Sequence, residues 1–367
     1  MKKIILTGGG TAGHVTPNIA LLPSLREAGF DILYVGSYDG IEKRLIQKEG
    51  IPYRGISSGK LRRYFDLKNF TDPFRVLKGF GEAAGIIRDF KPDIVFSKGG
   101  YVSVPVVRAA GLKHIPVIIH ESDMTPGLAN KLSYGAASRI CCNFPETLAT
   151  LPKNKAVLTG SPIRAELLSG SAERARSLTG FPADKPVLLV IGGSLGSRAV
   201  NEAVRKDLDL LLKEYSVLHL CGKGNLDESL KGRDGYLQFE YVSEDLKDYF
   251  ALADIMVSRA GANAICEILA LRKPNVLIPL SAKASRGDQI LNARSFEKQG
   301  YSLVLEEENM NEQSLMDAVH TVWSNRETYI HAMEHGGNGN GVENVMKLIL
   351  ELTEGKPRKK SAAGADL

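Results

Sequence analysis

Four times in this chain an apolar run passes directly into a small-residue turn and then into a helical pattern: "GGGTAGH" at 8–14, "KGGYVS" at 98–103, "GGSLGSR" at 192–198 and "SRAGANA" at 258–264. Parallel strands cannot be joined by a tight hairpin and need a helical crossover, so this junction points to doubly wound parallel sheets. The runs at 2–7, 31–36, 93–97, 116–120, 186–192, 216–221, 254–258 and 275–280 read as strands. Most are continuous Val/Ile/Leu segments, as expected where helices cover both faces of a sheet. The fold class is therefore α/β.

Two junctions fall in each half, and 367 residues exceed the usual single core. The break "LTGSPIRAELLSG" at 158–170 separates the halves. Residues 1–163 and 164–340 are expected to form two doubly wound domains facing across a cleft, where ligands collect at strand C-termini. A helix at 341–355 is expected to pack back on the first domain, followed by a disordered basic tail at 356–367.

Hydrophobic content of 43% with 24% charge excludes disordered and fibrous classes. A net charge of +5 admits acidic partners, but no nucleic-acid motif is present, so none is expected to bind. "MKKIIL" is too short for a signal-peptide core, and no uncharged apolar run of about 18 residues occurs. Any membrane contact is therefore expected from the surface. Cys141, Cys142, Cys221 and Cys266 read as reduced thiols.

A strand–glycine–helix turn aims unpaired helix amides at one spot, with the positive end of the helix dipole behind them. Anionic phosphate suits that spot, and glycine allows its close approach. "GGGTAG" formally satisfies G-x-G-x-x-G, but the second strand ends in Gly36-Ser37 without the acid that a dinucleotide ribose requires. At Walker spacing His14 replaces the obligatory lysine. Nucleotide phosphates remain the expected target. "DLD" at 207–209 superficially matches a metal-binding D-x-D, but it sits in a helical pattern whose apolar face is Leu208, Leu211 and Leu212, with the aspartates expected to point away. No metal and no cofactor are expected.

The segments "GGGTAGHVTPNIALL", "KGGYVSVPVVRAA", "IIHESDMTPGLANK", "LTGSPIR", "VIGGSLGSRAVN" and "SRAGANAICEILALRKPNVLIPLSAKASRGDQILNA" together span roughly residues 4–305. In order and spacing they resemble the bacterial peptidoglycan glycosyltransferases that add N-acetylglucosamine to undecaprenyl-pyrophosphoryl-muramoyl-pentapeptide (lipid I), making lipid II. The resemblance implies a GT-B architecture of two Rossmann-like domains, the first for the lipid-linked acceptor and the second for UDP-N-acetylglucosamine. It implies inverting transfer to the C4 hydroxyl of the muramoyl sugar, with His14 as the base. Donor contacts carried over are Thr11, Gly13, Arg164, Ser194, Val242, Ala262, Asn263, Ala264, Glu267 and Gln289, with Glu267 on the ribose. Acceptor contacts are Gly10, His14, Gly99, Gly100, Tyr101, Glu121, Asp123 and Asn130. At Ala12, Ser122, Asp123, Leu195 and Asp288 the chain departs from the commonest family pattern.

The stretch at 59–85 mixes Leu61, Tyr64, Phe65, Phe70 and Phe74 with Arg62, Arg63, Arg75 and Lys78. Apolar side chains beside basic ones suit an anionic bilayer surface, and the resemblance places the protein peripherally on the cytoplasmic face of the cell membrane. Other cell-wall synthesis proteins are further implied partners. Three rival readings share features of the sequence: a transferase acting on another lipid such as diacylglycerol, a UDP-N-acetylglucosamine 2-epimerase, and a nucleotide-sugar-binding scaffold.

Overall fold

The computed structural model describes residues 1–59, 72–193, 196–282, 287–311, 313–336 and 340–354. Seven strands form the first sheet: β1 (Lys2–Thr7), β2 (Phe30–Ser37), β3 (Tyr53–Ile56), β4 (Ile94–Ser97), β5 (Val117–Glu121), β6 (Arg139–Cys142) and β7 (Ala156–Leu158). Six form the second: β8 (Val187–Ile191), β9 (Ser216–Leu220), β10 (Tyr236–Phe239), β11 (Ile255–Ser258), β12 (Asn275–Leu277) and β13 (Leu303–Val304). Their orders are β3-β2-β1-β4-β5-β6-β7 and β10-β9-β8-β11-β12-β13. In both sheets the order reverses direction beside the first strand, between β1 and β4 and between β8 and β11. These are the switch points at which doubly wound sheets open a crevice. All four glycine or alanine junctions leave from those four strands.

The continuous apolar runs follow from burial on both faces. Ile4, Ile5 and Leu6 of β1 are all fully buried, as are Val117, Ile118 and Ile119 of β5. In β8, Val187 and Leu189 join one core cluster while Leu188 and Val190 join the other, the alternation that strand geometry imposes. In the first unit the connecting helices include α1 (Thr16–Glu27), α2 (Ile41–Lys48), α3 (Asp72–Phe90) and α4 (Ser103–Leu112).

Among the described residues two compact units emerge: those of 1–120, 128–141 and 342–354 in one, and those of 121–127 with 142–341 in the other. The division thus falls near 142, where the sequence placed a single boundary at 163. Phe144 supplies the reason, since its fully buried ring packs edge-on to Phe296 at 6.0 Å in the core of the second unit. The chain's last described helix, Gly341–Glu354, is assigned with the first unit from residue 342, and Lys2 Nζ lies 3.4 Å from Glu354 Oε1.

The expected orientation of 207–209 needs correction. The helical pattern breaks at Asp207, between helices Arg198–Lys206 and Leu208–Glu214, and its buried carboxylate accepts from the Met316 amide at 3.3 Å. Asp209 pairs with Arg233. All four cysteines are buried and free of disulfides. No described helix is long and apolar enough to cross a membrane.

Candidate functional site

The first unit holds a cavity of about 950 Å³ whose lining includes Gly10, Thr11, His14, Glu42, Gly100 and Tyr101. It opens at the C-terminal ends of β1 and β4. After β1 the chain makes one 3₁₀ turn, Ala12–His14, before α1 begins. That turn folds the His14 ring back so that Nδ1 lies 3.0 Å from the carbonyl oxygen of Gly9 and 3.3 Å from the Thr11 hydroxyl. A carbonyl can only accept, so in the neutral imidazole the proton resides on Nδ1 and the basic lone pair on Nε2.

The glycine loop is expected to make room for phosphate, and at Gly9 the structure adds a packing reason of its own. Glu42, in the first turn of α2, is fully buried beneath the loop. Its carboxylate accepts from the Gly10 amide at 3.2 Å and from the Ser37 amide at 3.0 Å, and also from the Ser37 hydroxyl. A Cβ on Gly9 would come within 2.6 Å of that carboxyl group. Gly9 is therefore a glycine because Glu42 fills the space. A phosphate oxygen placed about 4 Å from this carboxylate would meet roughly 4 kcal/mol of repulsion at an effective dielectric constant near 20. Burial first, and then the Glu42 charge, push the neighbouring Tyr53 hydroxyl up from its ordinary pKa.

Beneath the loop, the buried Asn18 side chain donates to Thr7 O, His14 O and the Tyr34 hydroxyl, while Tyr34 donates to Gly8 O at 2.8 Å. The turn after β4 packs directly on the first. Gly100 has φ +86°, and its Cα lies so near Gly9 O that a Cβ there has no room. The intervening Lys98 is 1% exposed, with Nζ 2.7 Å from His120 Nδ1.

The acceptor residues carried over from the resemblance are shared between the two units. Gly10, His14, Gly100 and Tyr101 line the cavity. Gly99 meets the buried Asn130, whose Nδ2 donates to His120 O at 3.2 Å. Glu121 and Asp123 belong to the second unit. There the Glu121 carboxylate closes its own loop by accepting from the Ser122 and Gly127 amides. Asn292 Nδ2 donates to Asp123 Oδ1 at 3.1 Å and to Ala260 O at 3.3 Å, and Asn292 Oδ1 accepts from the Met124 amide. One buried amide side chain thus ties the 121–127 loop to the turn after β11.

Among the expected donor residues, Thr11 and Gly13 sit in the first-unit loop beside His14. Ala262, Asn263 and Ala264 form the first turn of the helix Ala262–Leu271, where backbone amides have no intrahelical acceptor. Glu267 lies farther along that helix, partly buried, and desolvation raises its carboxyl pKa to about 7 against the opposing charge of Arg164. Arg164 itself pairs with Glu166 at 2.6 Å. Gln289 Oε1 accepts from the Leu280 amide at 3.0 Å, so any ligand contact from its side chain would use the NH₂ group. Val242 packs against the apolar core. Ser194, Leu195, Leu61, Arg62, Arg63, Tyr64, Phe65, Phe70 and the 356–367 tail lie outside the described residues.

Arg259 joins these turns. Its buried guanidinium donates to Ser197 Oγ at 2.6 Å, to Ile278 O and Pro279 O at 3.1 Å, and to Glu307 at 2.8 Å. Ser197 in turn caps the helix Arg198–Lys206 by accepting from the Val200 amide. One side chain therefore sets the relative positions of the loops after β8, β11 and β12. Among the described residues no cluster of His, Cys, Asp and Glu could hold a metal ion.

The profile of the glycosyltransferase family 28 N-terminal domain matches residues 4–142, and that of its C-terminal domain matches 187–349. The chain belongs to glycosyltransferase family 28. A family relative from Lachnospira eligens is 64% identical over 349 residues, covering 95% of this chain and 99% of its own. Another from Clostridium perfringens is 60% identical over 347 residues, covering 95% and 97%. Both bear the name UDP-N-acetylglucosamine--N-acetylmuramyl-(pentapeptide) pyrophosphoryl-undecaprenol N-acetylglucosamine transferase. The crystal structure of MurG from Acinetobacter baumannii superposes with a TM-score of 0.75 at 26% identity, covering 96% of this chain and 100% of that one. A UDP-GlcNAc 2-epimerase from Methanocaldococcus jannaschii, at 14% identity, shares the fold with a TM-score of 0.66 and covers 95% and 99%. The GT-B architecture of two Rossmann-like domains is thereby established for this family 28 chain.

Sequence reasoning missed Glu42, Asn18, Arg259 and Asn292. Arg259 lay within the quoted "SRAGANA" and Asn292 within the segment that follows it. Glu42 carried no motif, and its only signal was an acid in the first turn after a glycine.

Proposed function

We infer that this chain transfers N-acetylglucosamine from UDP-N-acetylglucosamine to the C4 hydroxyl of the muramoyl sugar of undecaprenyl-pyrophosphoryl-muramoyl-pentapeptide, with inversion at the anomeric carbon. The reading rests on 64% identity across 95% of the chain to a relative named for that transfer. The His14 geometry fits it. With Nδ1–H held on Gly9 O, Nε2 takes the proton of the C4 hydroxyl as that oxygen attacks the anomeric carbon. The bond from the anomeric carbon to UDP breaks, and the electron pair leaves on the diphosphate. Amides of the first turn at 262–264, with the helix dipole behind them, stabilise that developing charge. Glu267 accepts the ribose hydroxyls, and the Gln289 NH₂ and Arg164 lie on the donor side.

The acceptor is lipid-linked, so the enzyme works as a peripheral protein at the cytoplasmic membrane face. Support comes from α3, where Phe74 and Leu77 are 76% and 69% exposed beside the basic Arg75 and Lys78.

Incubation with labelled UDP-N-acetylglucosamine and a short-chain lipid I analogue tests the assignment. The expected product is the β-linked disaccharide lipid, formed only with acceptor present. Conversion of the nucleotide sugar to its 2-epimer without acceptor, or transfer to diacylglycerol alone, would replace this reading.

A further inference from the structure

We propose that Glu42 is a positioning residue for His14, acting on the imidazole through the single peptide group that joins Gly9 to Gly10. The inference rests on the transferase reading above and deepens its account of the base.

That peptide group is held at both edges. Its N–H, on Gly10, donates to Glu42 Oε2 at 3.2 Å, and its C=O, on Gly9, accepts from His14 Nδ1 at 3.0 Å. In a trans amide the two groups point in opposite directions, so the carboxylate and the imidazole face each other across one conjugated plane. Hydrogen bonds in series polarise one another. A carboxylate pulling on the N–H leaves more negative charge on the carbonyl oxygen. That strengthens its hold on Nδ1–H and stabilises the imidazolium formed when Nε2 takes a proton. Carboxylate–histidine pairs do this by direct contact, and here one amide stands between them.

The Glu42 carboxylate occupies a built site. It is fully buried, and three glycines leave room for it. A Cβ would come within 2.6 Å of its carboxyl group at Gly9 and within 2.8 Å of its Cγ at Gly36, and would meet both oxygens at Gly40. Its remaining partners are the Ser37 amide and hydroxyl, both on Oε1. All three described partners are donors, the set an ionised carboxylate takes, and none of them is a cation. The charge therefore acts on hydrogen-bonded dipoles, of which the Gly10 amide leads to His14. A first-turn acid that only compensates the helix dipole does so equally well from the surface and needs no such cradle.

The same charge reaches other groups under the loop. Burial first, and Glu42 with it, hold the Tyr34 and Tyr53 hydroxyls above their ordinary range. Lys98 lies beside Gly8, and Asp39, Arg75, Lys78 and Tyr101 line the same cavity as His14. All of these are shared by wild type and a Glu42 variant, so the difference between the two proteins isolates Glu42.

The experiment compares the full-length wild type with Glu42→Gln, which keeps the shape and removes the charge. With UDP-N-acetylglucosamine and a short-chain lipid I analogue both saturating, the acidic limb of the kcat profile should move about one unit toward lower pH, because the imidazolium loses its stabilising charge. The plateau above it should fall about 3- to 10-fold as the base weakens, with both KM values unchanged within twofold. Adding Glu42→Gln to His14→Ala should cost nothing further, since the one acts through the other. A uniform fall of kcat with an unmoved limb, or losses that add, would overturn the proposal in favour of a simple brace for the loop. NMR titration of His14 in the substrate-free chain should show the same downward shift. No shift there overturns the proposal even if the chain is no transferase, whereas a shift without transfer to the acceptor sinks the transferase reading alone. Should Glu42→Gln not fold, wild type still decides. Its Gly10 amide proton should move downfield as His14 takes a proton, and a resonance constant through that titration overturns the relay.

Discussion

His14 Nδ1 and the Gly9 carbonyl oxygen lie 3.0 Å apart, and this pair decides which imidazole nitrogen is basic. The 3₁₀ turn Ala12–His14 shortens the path from strand to helix enough to fold the ring back onto its own loop. Orientation of this imidazole is thus local, fixed within six residues of sequence.

Replacing His14 with alanine removes the imidazole proposed as the base and leaves the loop backbone in place. Turnover should fall about 10²- to 10⁴-fold, the usual value of general-base help, while calorimetric affinity for UDP changes less than twofold. Near-normal kcat with saturating substrates would take the base role away from His14.

Glu267 predicts a pH dependence of donor binding. Its carboxyl titrates near pH 7 because desolvation outweighs the opposing charge of Arg164. Ribose hydroxyls donate more strongly to the carboxylate than to the acid. UDP affinity should therefore rise as pH increases through about 7 and then level off, and Glu267→Gln should abolish the slope. Calorimetric titrations between pH 6 and pH 8 check this.

The same group affects stability with the opposite sign. Its folded pKa lies above the ordinary carboxyl value of 4.5, so between roughly pH 4.5 and 7 the folded state binds more protons than the unfolded one. Stability is accordingly lost as pH rises across that window. Glu267→Gln should gain on the order of 2 kcal/mol over wild type at pH 8, and little at pH 4, in urea melts.

Gly9 and Glu42 should behave as one unit. Gly9→Ala alone forces a Cβ against the buried carboxyl group, an overpacking that costs about 1–3 kcal/mol. In a Glu42→Ala background much of that penalty should vanish. A double-mutant cycle by urea denaturation measures the coupling, and additive values would show that the two do not share the space.

On α3, serine at both Phe74 and Leu77 should weaken binding to anionic vesicles by at least tenfold, since burying each such side chain contributes about 1.5–3 kcal/mol. Activity on a soluble short-chain acceptor should not change. Sedimentation with and without phosphatidylglycerol reads the first quantity, and initial rates read the second.

Long, doubly covered strands announced themselves in the sequence, and short edge strands did not. Apolar runs such as "PVLLVIG" read as β8 directly, whereas "YRGI" of β3 and "AVL" of β7 have only three or four residues and are partly exposed. The junctions were legible because glycine and alanine punctuate them, but the reason for Gly9 was not. Its neighbour Glu42 is remote in sequence, and only the β2–α2 connection brings that carboxylate beneath the loop. Asn292 was hidden in the same way, since its partners Asp123 and Met124 stand 169 and 168 residues away. Patterning reports how much a segment is buried, not which distant polar group it will meet.

The helix Gly341–Glu354 belongs from residue 342 with the unit formed by 1–120 and 128–141, and its Val345 and Ile349 are fully buried. Splitting the gene once, at any point between the halves, therefore strands those side chains on the wrong fragment. An amino-terminal piece expressed alone should misfold or aggregate until a peptide carrying residues 341–354 is supplied in trans.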